Sequence, residues 1–232
     1  LGMLFGLWVE PERTILAAVG QPGLAKEAWL AKANGSYEAD DSAQICLAAP
    51  AARAWVFEQM TALIDRVHPD YIKWDNNLWV NCNRTGHDHG ASDGNFAHVQ
   101  ALYGLLADLR ARYPDLLIEN VSGGGNRLDF GMLAYSDTAW MDDRTAPSSL
   151  VRHNVEGLSL AFPPGYLLSF VIDNEADVLG GPDMPSIVRS RMLGVLGLTI
   201  KSADYDDDTR ARLASAIAEY KSLRDKIGRA HV

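Results

Sequence analysis

The chain has 232 residues, 47% of them hydrophobic, which is enough for one sizeable core. Its formal net charge of −9 argues against nucleic acid and anionic membrane as partners, because both need a basic face. Two cysteines, Cys46 and Cys82, do not make a disulfide framework, no apolar run reaches membrane-span length, and no charged-then-apolar signal opens the sequence. A reducing, cytoplasmic setting is therefore the expectation.

Met3 to Val9 reads as a buried strand, apolar on both faces, ended by Glu10-Pro11-Glu12. Trp8 within it is either a core residue or the floor of a pocket. Leu24 to Ala33 is expected to be a short helix, and Asn34 to Asp41 a polar loop. Pro50 suits a first helical turn, and Val56, Met60, Leu63, Ile64 and Val67 recur at helical spacing, so residues 50–67 form a helix. Tyr71 to Trp74 favours a strand, which ends on Asp75-Asn76-Asn77. In a parallel α/β architecture the carboxyl ends of the strands carry the chemistry. Lys73 and Asp75 share a face at strand spacing, and a lysine beside a carboxylate favours its charged form. A strand ending in a solvated turn with an incidental ion pair fits the same pattern.

Leu78 to Asn95 is a long polar loop holding Cys82, His87, Asp88 and His89. Its two histidines and cysteine suggest a metal, but no fourth ligand stands at a recognisable spacing, so no metal is expected. Val99, Leu102, Leu106 and Leu109 mark the next helix, closed by Tyr113-Pro114. Leu116 to Ile118 is a strand running into Ser122-Gly123-Gly124-Gly125. Three consecutive glycines let backbone N–H groups approach a ligand closely, although the spacing is wrong for a phosphate loop. Arg127 and Asp129 are read as anchors of that loop and of the helix after it. Ser136 to Met141 is a further strand, ending on Asp142-Asp143, either of which could cap the helix that follows. The helix of residues 147–160, the strand Tyr166 to Ile172 with Asp173-Asn174-Glu175 at its end, the helix of residues 185–193 and the strand Leu196 to Ile200 continue the alternation. The last helix follows Asp206-Asp207-Asp208, an acidic run that suits a helix start better than a metal. Six strands alternating with helices argue for a parallel sheet with crossover helices. No internal repeat, low-complexity tract or hinge divides the chain.

Four segments carry a family resemblance: Phe5-Gly6-Leu7-Trp8-Val9-Glu10-Pro11-Glu12, Tyr71 to Asn77, Ile118 to Arg127, and Trp140-Met141-Asp142-Asp143-Arg144-Thr145. In that order they resemble the family 36 glycoside hydrolases, the bacterial-type α-galactosidases. The likeness runs with gaps from about Gly2 to Asp225. It departs in the 34–41 loop, which lacks the family's arginine, and at Leu78 and Val121, where arginine and cysteine are usual.

The resemblance implies an incomplete (β/α)₈ TIM-type barrel over residues 1–226, strands three to eight. The first two strands and the flanking β-domains of full-length members would lie outside it. Residues 227–232 read as a non-native, adapter-derived tail. The implied chemistry is retaining hydrolysis of terminal α-D-galactosides. Asp75 is the nucleophile, and Asp143 the acid/base by ungapped matching on Trp140 and Thr145; a one-residue gap would give Asp142 that role. Both aspartates end strands of one barrel with a single strand between, so they are expected to face each other across its mouth. Lys73, Asn77, Gly124, Trp140 and Trp8 are the expected substrate contacts, with no cofactor. An α-galactoside or oligosaccharide is the expected partner, and the full-length form a homo-oligomer. An α-N-acetylgalactosaminidase, a transglycosylase or a non-catalytic sugar-binding relative would share the pattern.

Overall fold

The computed structural model of the chain describes residues 2–227, so all of the expected tail but Ile227 lies outside the described residues. The chain divides into two compact units. The first runs to Gly123 and includes Asp129–Ser136; the second comprises Gly124–Leu128 and the chain from Asp137 onward.

The first unit opens with β1 (Gly6–Val9), β2 (Arg13–Ile15), β3 (Ser42–Gln44) and α1 (Pro50–Val67). It continues with β4 (Tyr71–Trp74), α2 (Gly94–Arg112), β5 (Leu117–Asn120) and the short α3 (Phe130–Leu133). Helix α1 begins with Pro50, whose missing N–H would be unpaired there anyway. It buries Ala52, Val56, Met60 and Ile64, one stripe at four-residue spacing. His68 ends it in the left-handed region at φ 51°, its N–H bonded to Ile64 O at 2.8 Å. Helix α2 buries His98, Ala101, Leu102, Leu105, Leu106 and Leu109 in the same way. At its start only glycine fits, because a Cβ on Gly94 would lie 2.1 Å from the Cys82 carbonyl.

β1, β4 and β5 pair in parallel, aligning Trp8, Lys73 and Glu119. Ile72 and Trp74 sit in the core with the stripes of α1 and α2, and Tyr71 and Lys73 take the opposite face. Two expectations are corrected here. Residues 24–33 hold only a 3₁₀ turn, Glu27–Trp29, because the backbone of Leu30 and Ala31 pairs with the segment at Gln44 and Ile45 instead of closing helical turns. That pairing extends an antiparallel hairpin of β2 and β3 that the sequence reading missed. The strand at Met3–Val9 is shorter than expected and open to solvent, with Met3 76% and Trp8 55% exposed, since β4 is its only strand partner among the described residues.

The second unit holds β6 (Thr138–Trp140), α4 (Ser148–Leu158), β7 (Leu167–Ile172), α5 (Met184–Arg189), β8 (Val195–Thr199) and α6 (Asp207–Leu223). β6, β7 and β8 pair in parallel. Val171, Leu179, Met184, Ile187, Val188, Met192 and Leu213 form its core. Asp206 caps α6, its carboxylate accepting from Thr209 N, as the acidic run led us to expect. The polar centre of this unit is Arg191, whose side chain is fully buried. It pairs with Asp177 at 2.8 Å and donates to Ser148 Oγ and to the Thr145 carbonyl. Asp177 in turn accepts from Ser148 N, so one buried ion pair ties α5 to the start of α4. Six parallel strands alternating with helices give the chain the fold of an incomplete (β/α)₈ barrel. Among the described residues, no helix is long and apolar enough to cross a membrane.

Breaking a buried ion pair on one side leaves an uncompensated charge, at about 3–5 kcal/mol. Arg191→Met is expected to lower the unfolding free energy by about that amount in urea titrations, and Arg191→Met with Asp177→Leu to recover a large part of the loss.

Candidate active site

In the first unit the site is built at the carboxyl end of β4. Trp74 is locked from below: its indole Nε1 donates to Glu12 at 2.8 Å, and Glu12 is fully buried against His98 at 2.6 Å. Asp75 follows immediately, with its backbone N–H bonded to Val9 O at 2.9 Å. One Asp75 oxygen accepts from Trp8 Nε1 at 3.0 Å and the other from Asn76 N at 2.8 Å. The residue is only 7% exposed, and one bond at each oxygen leaves lone pairs for a reacting atom. Trp8 is therefore no core tryptophan; it orients the carboxylate and presents a half-open ring beside it.

Lys73 Nζ pairs with Glu119 at 3.1 Å, because β5 places Glu119 directly alongside it. Tyr71 also donates to Glu119. Asn76 turns inward to Gln44 and the Leu78 carbonyl. Asn77 spans Glu10 at 2.7 Å and Gly123 N at 3.1 Å, which fixes the turn after β4.

In the second unit Asp142 and Asp143 follow β6, and their surroundings separate them. Asp142 accepts from Arg144 through its backbone N and both ends of its guanidinium, and from Asn154 Nδ2 at 3.0 Å. The Arg144 hydrogen bonds hold its carboxyl below the usual carboxylate range. Asp143 is exposed and accepts from Trp140 Nε1 at 2.9 Å. Trp140 packs on Phe170 with ring centroids 4.1 Å apart. Neither aspartate caps α4; its amino end is satisfied by Asp177.

The glycine loop has a tighter role than expected. Gly124 has φ 82°, and a Cβ on it would lie 3.1 Å from Asp143 N; one on Gly125 would lie 2.3 Å from the Met141 carbonyl. These glycines let the loop lie directly on the Met141–Asp143 backbone. Asp129 anchors the chain beyond, capping α3 and accepting from Tyr103. Asp173 is turned to Leu179 N and Tyr205. Tyr205 is pushed up to about 12 by burial and by that carboxylate. Sequence reasoning missed Glu12, His98, Glu119, Asp177 and Arg191 as supports, since their partners lie far away in the chain.

The Melibiase family model matches residues 1–229. Alpha-galactosidase 2 of Pediococcus pentosaceus is 31% identical over 99% of this chain and 32% of its own length. Alpha-galactosidase Mel36A of Lactobacillus acidophilus is 31% identical over 97% of this chain and 31% of its own. Among solved structures, the family 36 α-galactosidase AgaA of Geobacillus stearothermophilus superposes with a TM-score of 0.82 at 21% identity, over 98% of this chain and 32% of that one. The chain thus spans about a third of the length of the curated relatives it matches. Its sequence, matched along almost its whole length, belongs to the Melibiase family.

Proposed function

We propose that the protein to which this chain belongs hydrolyses terminal α-D-galactosides by double displacement, with Asp75 as nucleophile and Asp143 as acid/base. The observation that carries the reading is the setting of Asp75: a strand-end carboxylate, nearly buried, oriented by an indole N–H and a backbone N–H. Several relatives are named α-galactosidases, and variants of the G. stearothermophilus AgaA structure hold raffinose and stachyose.

In the first step an Asp75 oxygen attacks the anomeric carbon. The bond to the leaving oxygen breaks, and that oxygen takes the proton of Asp143. In the second step water attacks the same carbon, gives its proton to Asp143 and releases Asp75. Retention requires the two carboxyl groups about 5–5.5 Å apart in the working enzyme. Lys73 and Glu119 share the face of Asp75 and suit sugar hydroxyls, and the half-open Trp8 ring beside Asp75 suits the apolar face of a pyranose. Asp142 does not fit the acid role. A general acid must carry its proton at working pH, and Arg144 keeps Asp142 ionised.

Asp75→Asn in the full-length enzyme is expected to abolish turnover with the fold intact by circular dichroism. Azide is expected to restore partial rate in Asp75→Gly, and proton NMR to show the α-anomer of galactose forming first. Substantial activity in Asp75→Asn, or the β-anomer first, would end the assignment.

Asp143→Asn is expected to cost about 10²–10⁴-fold on unactivated galactosides and less on aryl galactosides with good leaving groups. Asp142→Asn is expected to keep most of the rate but to lose up to about 1 kcal/mol of stability, because Arg144 is 72% exposed and solvent screens the pair. A carboxyl lowered in the folded state stabilises above its unfolded value of about 3.9, and that contribution is lost as pH falls through the lower folded one. The gap between wild-type and Asp142→Asn melting temperatures should therefore be full at neutral pH and close in strong acid.

A further inference from the structure

Four ligand atoms converge in the first unit. The sulfurs of Cys46 and Cys82 and one ring nitrogen each of His87 and His89 all lie within 4.8 Å of one another. Cys82 Sγ is 3.4 Å from His87 Nδ1, and Cys46 Sγ is 3.7 Å from His89 Nε2. A tetrahedral zinc ion, with bonds of about 2.3 Å to sulfur and about 2.0–2.1 Å to nitrogen, sets sulfur and nitrogen about 3.5 Å apart. Both contacts match edges of that tetrahedron.

The imidazoles are set to serve as ligands. His87 Nε2 lies 2.8 Å from the Ala28 carbonyl and His89 Nδ1 lies 2.7 Å from the Gly90 carbonyl. A carbonyl only accepts, so each of these nitrogens donates, and the other nitrogen of each neutral ring keeps its lone pair toward the sulfurs. Carbonyls that fix the tautomer in this way are the usual support of metal-bound histidine. Cys46 and Cys82 pack with Ala31, Ala48 and Val80 in a small apolar cluster. Two thiolates and two neutral imidazoles around a divalent ion sum to zero charge, which apolar burial tolerates.

We propose that Cys46, Cys82, His87 and His89 bind a structural zinc ion. On binding, the two thiols release their protons to solvent. Four protein ligands leave no open position, so the ion holds structure instead of activating water. It fastens the loop between β4 and α2 to the segment between β3 and α1, where Asp88 N already meets Ala48 O at 3.0 Å. No sequence spacing marks Cys46 as the fourth ligand; the fold brings it to the other three.

The full chain, purified with zinc in the medium and no chelator, is expected to carry one zinc per chain by mass spectrometry of the metal content. With cobalt in its place, it should show the intense visible bands of a tetrahedral thiolate site. His89→Ala removes the most open of the four ligands. It is expected to weaken zinc binding more than about 100-fold against a chromophoric chelator, beyond the range for a lost supporting hydrogen bond, with far-UV dichroism unchanged. Metal far below stoichiometry with both thiols open to alkylation, a Cys46–Cys82 disulfide, or a cobalt spectrum that His89→Ala leaves unchanged would overturn the proposal.

Discussion

A carboxylate with no exposed surface holds the first unit's chemistry in place. Glu12 receives the Trp74 indole and the His98 imidazole, and its own carbonyl receives Ile45 N. His98 Nδ1 accepts from Leu47 N at 3.0 Å, so the ring's proton sits on Nε2, facing Glu12. One side chain thereby gathers the segment after β1, the end of β4, the interior of α2 and the segment after β3. A carboxylate this deep is tolerated only while its donors stay in place. Any drift of Trp74 would take one of those donors away, and Trp74 is the residue before Asp75. The cost of an unpaired buried charge is what keeps the strand end rigid. The strand-end geometry in turn fixes the Asp75 carboxylate between the Trp8 indole and the Asn76 N–H.

The second unit solves the same problem with the charges reversed. There a buried cation, Arg191, collects a carboxylate, two hydroxyls and backbone carbonyls around itself. One of its partners is the carbonyl of Thr145, two residues beyond Asp143. Arg191 lies just beyond α5, so the segment that ends the core helix also fixes the loop that carries the acidic pair. A guanidinium suits this place, because its fork of donors can satisfy several acceptors at once where an ammonium would leave some unpaired.

The regular elements were legible because periodicity reports burial. The stripe through Val56, Met60 and Ile64 gave α1 its bounds, and Tyr71 to Trp74 stood out as a strand before a run of polar residues. What stayed hidden shares one cause: it depends on residues that meet only after folding. Lys73 stands two residues from Asp75 in sequence, yet β5 offers it Glu119 in register. Residues 24–33 have adequate helix formers, but tertiary pairing of Leu30 and Ala31 outweighs weak propensity. Three neighbouring glycines were visible as a place of close approach. That Gly124 and Gly125 approach the backbone of Met141 to Asp143 was not, since no local pattern encodes a distant backbone.

Adjacent aspartates of identical chemistry sit in different surroundings, and the proposed mechanism uses that difference. Arg144, two residues on, wraps Asp142 and favours its anionic form, which holds the turn. Asp143 points the other way, to a single indole N–H and to solvent. In the proposed mechanism the acid/base gives a proton and then takes one back, which needs modest, reversible contacts and access for water, and Asp143 has both. The Trp140 indole limits its rotation without adding a full charge, and Phe170 behind Trp140 limits the indole in turn. Swapping the two roles would require Arg144 to release its partner on every turnover, breaking several charge-assisted hydrogen bonds each time. The arrangement of the loop is therefore itself an argument about which aspartate moves protons.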